Sequence, residues 1–301
     1  MPEMSEKTPL SHHLEYRALM VLAFFVRLLP RSLALGAGAA VGQIGWWLGL
    51  RRKLVLANLA QALPELSDSE RHRLGARSAR NFGRTVIEII RIGGRDRQRS
   101  EELFVFDGVS ELEEAVEGGR GAVIVTAHLG AWALYFTALA KVGVRIALLV
   151  GRQHNVRVDE FIHGILGDQV RLISKGRPAV REILGSLKEG VSVVFVADQH
   201  AGRQGCIWAP FLGRQASTLA LPGAFVARHE APFFLMTGHR HEGGKHRIQL
   251  RKLDVPKDAE DVRQAVTELF NDELGQAILE HPDQYFWFHR RWRDTDEPPT
   301  P

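Results

Sequence analysis

The chain has 301 residues, 45% hydrophobic and 25% charged, ordinary for a folded protein and enough for one large α/β domain or two small ones. Lys and Arg (39) outnumber Asp and Glu (35), and the net charge of +4 favours an anionic partner such as a membrane surface, a phosphate or an acidic carrier. The single cysteine, Cys206, excludes an internal disulfide and reads most simply as a reducing compartment.

The N-terminal stretch is apolar in two pieces. "ALMVLAFFV" (18–26) is interrupted by Arg27, Pro30 and Arg31; "SLALGAGAAVGQIGWWLGL" (32–50) follows and ends on Arg51-Arg52-Lys53. Each piece is short or marginal for a span of about 20 residues. Trp46 and Trp47 beside a basic cluster suit a membrane–water interface, and Gly38-x-x-x-Gly42 permits close helix packing. The charges at 27 and 31 argue against a cleaved signal peptide, although Ala37-Gly38-Ala39 resembles a cleavage site. Residues 1–55 therefore read as a membrane-associating helical segment, with a buried hairpin of two core helices as the alternative.

The next stretch, 66–91, carries Ser67 and Asp68 as candidate caps and then a helical rhythm. Arg73, Arg77, Arg80, Arg84 and Arg91 read as one basic stripe, either solvated or touching phospholipid. From 121 onward, short apolar runs alternate with amphipathic stretches: "GAVIVTA", "VRIALLV", "VRLIS" and "VSVVFVA" as strands, with helices near 131–141, 156–166 and 177–188. A strand pair follows at 231–241 and 245–255 around Glu242-Gly243-Gly244, then a long helix over about 258–280. The reading is a single sheet with covering helices over 56–292, preceded by the N-terminal segment and followed by a disordered tail at 293–301.

In open α/β sheets, sites gather at the carboxyl ends of strands. Three such ends are polar: one gives His128; one gives Arg152, Asn155 and Asp159; one gives Asp198, Gln199, His200 and Arg203. A histidine there suits a general base near neutral pH. His239, His241 and His246 straddle a Glu-Gly-Gly turn without a cysteine, so no metal is expected. The chain has no GxSxG elbow and no P-loop, and neither a cofactor nor a nucleic-acid partner is expected.

Five blocks, in order, resemble the bacterial lipid A biosynthesis acyltransferase family of the lysophospholipid acyltransferase superfamily: "KLVLANLAQALPELSDSER", "AVIVTAHLGAWA", "GRQHNVRVDEFI", "VFVADQHAGRQGCIWAPFLGRQAST" and "HPDQYFWFHRRWR". The resemblance implies acyl transfer from acyl carrier protein to a hydroxyl of a saccharide lipid at the cytoplasmic face of the inner membrane. It makes His128 the base and places its acidic partner five positions on, where this chain has Ala133; residue 131 is also alanine. It offers Arg152, Asn155, Asp198, Gln199 and Arg203 as substrate-binding residues. An incomplete His-acid pair leaves two readings. One is an acyltransferase, slow or rescued by Asp159, Glu160 or Asp198; the other is a relative that binds acyl chains or lipid without turnover.

Overall fold

The computed structural model describes residues 10–94, 96, 100–151, 155–167 and 169–293. Helices α1 (Leu10–Leu28), α2 (Arg31–Trp47), α3 (Arg52–Ala62) and α4 (Asp68–Ile92) come first. After the short α5 (Ser100–Leu103), β1 (Phe104–Asp107) and α6 (Val109–Val116), the chain alternates through β2 (Val123–Thr126), α7 (Trp132–Lys141), β3 (Ile146–Val150), α8 (Val156–Leu166), β4 (Val170–Ser174), α9 (Ala179–Lys188) and β5 (Ser192–Val196). A hairpin of β6 (Cys206–Phe211) and β7 (Arg214–Leu219) leads to α10 (Leu221–His229), β8 (Phe233–Arg240), β9 (His246–Lys252) and α11 (Val262–Glu280).

The main sheet has seven strands in the order β1-β9-β8-β2-β5-β3-β4, and its centre is parallel. β9 runs antiparallel to β8, as expected for the strand pair around 242–244. The sheet is covered on both faces, so successive strand residues enter different cores. Val123 and Val125 pack with Phe195, Phe233 and Phe270, whereas Ile124 packs with Leu134, Ile146 and Met236. Two features depart from the sequence reading. β6 and β7 form a separate antiparallel pair where the sequence reads as a polar loop, and β1 is an additional edge strand.

The N-terminal helices are welded to this body. Gly38 and Gly42 of α2 lie against Ala79 and Gly83 of α4: a Cβ on Gly42 would stand 2.1 Å from the Ala79 carbonyl oxygen, and one on Gly83 would stand 2.0 Å from that of Gly38. The small-residue spacing is thus used within the chain. The charges that break the apolar run turn inward: Arg27 Nε donates to the Ile90 carbonyl at 3.0 Å, and Arg31 bonds Asp96 at 2.8 Å and Glu88 at 3.1 Å. Of the 19 exposed large apolar side chains among the described residues, 13 lie between Leu14 and Leu50, including Phe24, Phe25 and Trp47. No single described helix is long and apolar enough to cross a membrane; only the pair α2 and α3, bent by 91°, passes by length and composition.

α4 starts as its sequence suggests. The Ser67 hydroxyl accepts from the Glu70 N–H while the Glu70 carboxylate takes the Ser67 N–H, a capping box. Its arginines do not form one exposed stripe. Arg73 and Arg77 are exposed, Arg84 donates to Asn81 and Arg91 is buried. Arg91 forks onto Asp96 and donates to the carbonyls of Val26 and Leu29, because the end of α4 passes beneath the α1–α2 corner. The expected disordered tail at 293–301 lies, apart from Arg293, outside the described residues.

The α2–α4 contact predicts a sharp positional contrast. Gly83→Ala must push two backbones apart and should cost about 1–3 kcal/mol, read as a fall in the urea midpoint. Gly36→Ala, on the same hairpin but with nothing within 4 Å of the added Cβ, should be neutral or slightly stabilising.

Candidate active site

β2 and β5 are parallel neighbours, with Thr126 opposite Val196. His128 and Asp198 each stand two residues beyond that pair, so they emerge side by side at the carboxyl edge of the sheet. The Asp198 carboxylate clasps the histidine twice. Oδ1 lies 2.8 Å from the ring Nδ1, and Oδ2 accepts the His128 backbone N–H at 3.1 Å. An ionised carboxylate only accepts, so Nδ1 carries the ring proton and Nε2 presents its lone pair. The Gln199 side-chain amide sits 3.2 Å from Nε2 and is the donor to it.

The C-terminal segment finishes the clasp. The Phe286 N–H donates to the His128 carbonyl at 3.0 Å, the Gly130 N–H donates to the Gln284 carbonyl at 3.0 Å, and the Tyr285 hydroxyl bonds Asp198. Gly130 is required at this turn: its φ is +62°, and a Cβ would meet the Tyr135 hydroxyl at 2.3 Å and the Gly238 carbonyl oxygen at 2.6 Å. Trp132 and Phe286 flank the imidazole, with ring centroids 4.9 and 6.0 Å away.

Burial alone would raise the Asp198 pKa. The neighbouring His128 charge, the two hydrogen bonds from that residue and the nearby Arg291 cation outweigh it and hold the carboxyl below its ordinary value. Arg291, buried beneath Asp198, is lowered by desolvation to about 10 and donates to Thr218 at 2.6 Å. His289 is pushed by burial to about 4, so it is neutral near pH 7 and its Nε2 accepts from the His200 N–H.

The Asp198 side chain is 1% exposed and that of His128 19%, so the histidine alone of this pair reaches the adjoining cavity. That cavity holds about 850 Å³ and is mostly aliphatic and aromatic inside, with Trp132, Phe136, Leu148, Val150, Ile165 and Val180 on its wall. Gln199, His200 and Gln204 stand at its polar side.

The residues offered by the sequence separate into three groups. His128, Ala133, Gln199 and Asp198 meet here, but Ala133 is wall. The carboxylate on the imidazole comes from the neighbouring strand rather than from the next helical turn. Asn155 is elsewhere. Its Oδ1 caps α8 by accepting from Arg157 and Val158, and its Nδ2 binds the His12 carbonyl and Glu15, so the side chain ties α1 to α8. Arg203 is exposed beyond the rim, next to the cavity residue Gln204. Arg152 lies outside the described residues. Tyr285 and Phe286 belong to the block "HPDQYFWFHRRWR", but their place in the site is not legible, since nothing local ties an aromatic tail to a strand end more than 150 residues earlier.

His239, His241 and His246 do not converge: His246 bonds buried Glu88 at 3.1 Å and His239 stacks on His281. Among the described residues, no group of three or more His, Cys, Asp or Glu could hold a metal ion.

Comparison with known proteins gives a consistent result. The family model described as bacterial lipid A biosynthesis acyltransferase matches residues 4–294. The chain is 25% identical over 273 residues to a lipid A biosynthesis palmitoleoyltransferase of Escherichia coli (strain K12), covering 88% of this chain and 86% of that protein. It matches a lipid A biosynthesis acyltransferase of Shigella flexneri with the same identity and coverage.

The clasp has a pH signature. A carboxyl whose folded pKa is depressed contributes stability that is present above its unfolded value near 4 and lost as pH falls through the folded value. Asp198→Asn should therefore lower the urea midpoint at pH 7. As pH falls below about 4 it should lose less further stability than the parent. Parallel acid limbs in the two proteins would show that Asp198 does not ionise as the geometry requires.

Proposed function

Since the chain belongs to the bacterial lipid A biosynthesis acyltransferase family and is an O-acyltransferase of that type, we propose that His128 is its working base, that Asp198 is the carboxylate partner of that base and that Ala133 is no defect. The observation that carries this reading is the 2.8 Å contact between the His128 Nδ1 and Asp198, with Nε2 turned to an apolar cavity. We take the donor to be an acyl thioester on acyl carrier protein and the acceptor to be a saccharide lipid hydroxyl. The acyl chain lies in the cavity lined by Trp132, Phe136 and Leu148.

The acceptor oxygen attacks the thioester carbonyl while His128 Nε2 removes its proton. Asp198 then faces an imidazolium, which it stabilises, and it fixes the tautomer beforehand. The tetrahedral intermediate collapses, the carbon–sulfur bond breaks, and the thiolate takes the proton back from Nε2. An ester and a free thiol result. Gln199 yields its place on Nε2 to the acceptor hydroxyl, and its amide is then a donor beside the developing oxyanion. Membrane attachment belongs to the same reading. The apolar side chains of α1 and α2 face outward and meet the cytoplasmic surface of the inner membrane, while Arg27 and Arg31 remain on the protein side.

Three substitutions test the chemistry with one acyl-carrier donor. His128→Ala should lower the transfer rate by about 10²–10⁴-fold, and Asp198→Asn should remove much of the same factor. Ala133→Glu should bring no gain, because Nδ1 is already taken and the new charge enters an apolar wall. A faster Ala133→Glu enzyme would overturn the assignment of Asp198.

Attachment is tested separately. Replacing Phe24, Phe25 and Trp47 together by Ser removes about 1.5–3 kcal/mol of apolar transfer per side chain and should weaken vesicle binding at least tenfold. The folded chain should be little affected, since all three are more than half exposed. Unchanged flotation would rule out this face.

A further inference from the structure

A second cavity, of about 970 Å³, opens where α2 turns into α3 and meets the C-terminal segment. Its charged lining is of one sign. Arg51, Arg52, Lys53 and Arg290 contribute four cations beside Arg293, which has a contact of its own, and among the described residues no carboxylate lines it. Burying or gathering like charges is unfavourable unless an anion answers them. Two of the cations are held in place by backbone carbonyls that leave their charge uncancelled: Arg51 donates to Phe288 at 3.0 Å and Arg52 to Trp46 at 3.4 Å.

The backbone adds to the field. Arg51 is the residue before α3, it has a φ of +52°, and its side chain does not cap the helix, so the positive end of an 11-residue helix faces the same basin. A non-glycine residue in the left-handed region is strained, and such strain gathers at functional sites.

Two neighbours identify the ligand. On one flank Trp47, Leu48 and Leu50 are 69%, 73% and 63% exposed, a ledge for hydrocarbon next to a basin for anions. On the other, His200 lines both this basin and the cavity that holds the His128 ring. We propose that this basin binds the terminal phosphomonoester of a phosphorylated lipid whose chains rest on the Trp47–Leu50 ledge, a group that phosphodiester lipids lack. The planar guanidinium groups suit paired phosphate oxygens. That this lipid is the acceptor rests on the acyl-transfer reading; the binding itself does not. An acidic protein surface would answer the charge but would have no use for the ledge.

The test uses the full chain and phosphatidylcholine vesicles, plain or carrying phosphatidic acid or an equal charge of phosphatidylserine. Lys53→Gln, Arg290→Gln and Arg293→Gln together should weaken binding to phosphatidic acid vesicles by at least about tenfold, as lost charge-assisted contacts require, and leave plain vesicles unaffected. Arg120→Gln, Arg181→Gln and Lys188→Gln together remove the same charge from other exposed positions and should change it by less than about twofold. Single Lys53→Gln and Arg290→Gln proteins should show smaller losses in the same direction if the triple variant folds poorly.

Equal losses in the two triple variants would overturn the proposal, as would equal affinity for phosphatidylserine and phosphatidic acid vesicles. So would binding of inorganic phosphate with no preference for the lipid form, or loss of acyl carrier protein binding with phosphatidic acid binding intact. None of these readouts requires turnover. An inactive enzyme that still selects phosphatidic acid through this basin would refute the acyl-transfer reading alone.

Discussion

The parallel register of β2 against β5 is the constraint on which the site depends. Thr126 opposite Val196 brings His128 beside Asp198, so a buried carboxylate receives both the ring and the backbone N–H of one residue. A slip of one residue would exchange the faces of every side chain along the strand and separate the pair. The register is protected by the cores themselves, because Val123, Ile124 and Val125 are fully buried on alternate faces.

Charge burial ties the N-terminal hairpin to that sheet. Glu88 of α4 is fully enclosed and bonded to Arg31, Arg240 and His246, so one carboxylate joins α2, α4, β8 and β9. Desolvation would raise its pKa, but the Arg240 and His246 charges outweigh it and hold it far below the usual carboxylate range. Removing one member of such a cluster leaves a buried charge unanswered, which is far more damaging than losing a surface pair. α1 and α2 are therefore part of the folded body and not a leash.

Much of the fold is legible in the sequence because its strands are short apolar runs. "VRLIS" at 170–174 is a strand from end to end, and the helix at 156–166 has the expected bounds. β1 is missed because Phe104–Asp107 is four residues long and ends on an acid. The β6–β7 hairpin is hidden by the polar sequence around it, although its two-residue turn, Leu212-Gly213, lies between paired strands with φ of +48° and +76°. In the site, His128 is visible from its place after an apolar strand. Asp198 is legible only as one of three acids that could complete the pair, beside Asp159 and Glu160, since strand order along the sheet has no local signal. Arg27 and Arg31 look like interruptions for the same reason: their partners at Ile90, Glu88 and Asp96 are some 60 residues away. Asn155 shows the converse: a polar residue in the right block spends its side chain on a cap.

The clamp formed by residues 284–286 also has a consequence in time. These residues follow every strand of the chain, yet they supply the N–H on the His128 carbonyl, the carbonyl that receives the Gly130 N–H, and a hydroxyl on Asp198. During synthesis the sheet can form before they exist. His128 then gains its last restraints only after the hydrophobic layers have closed, so a partly made chain is a folded body without an assembled candidate site.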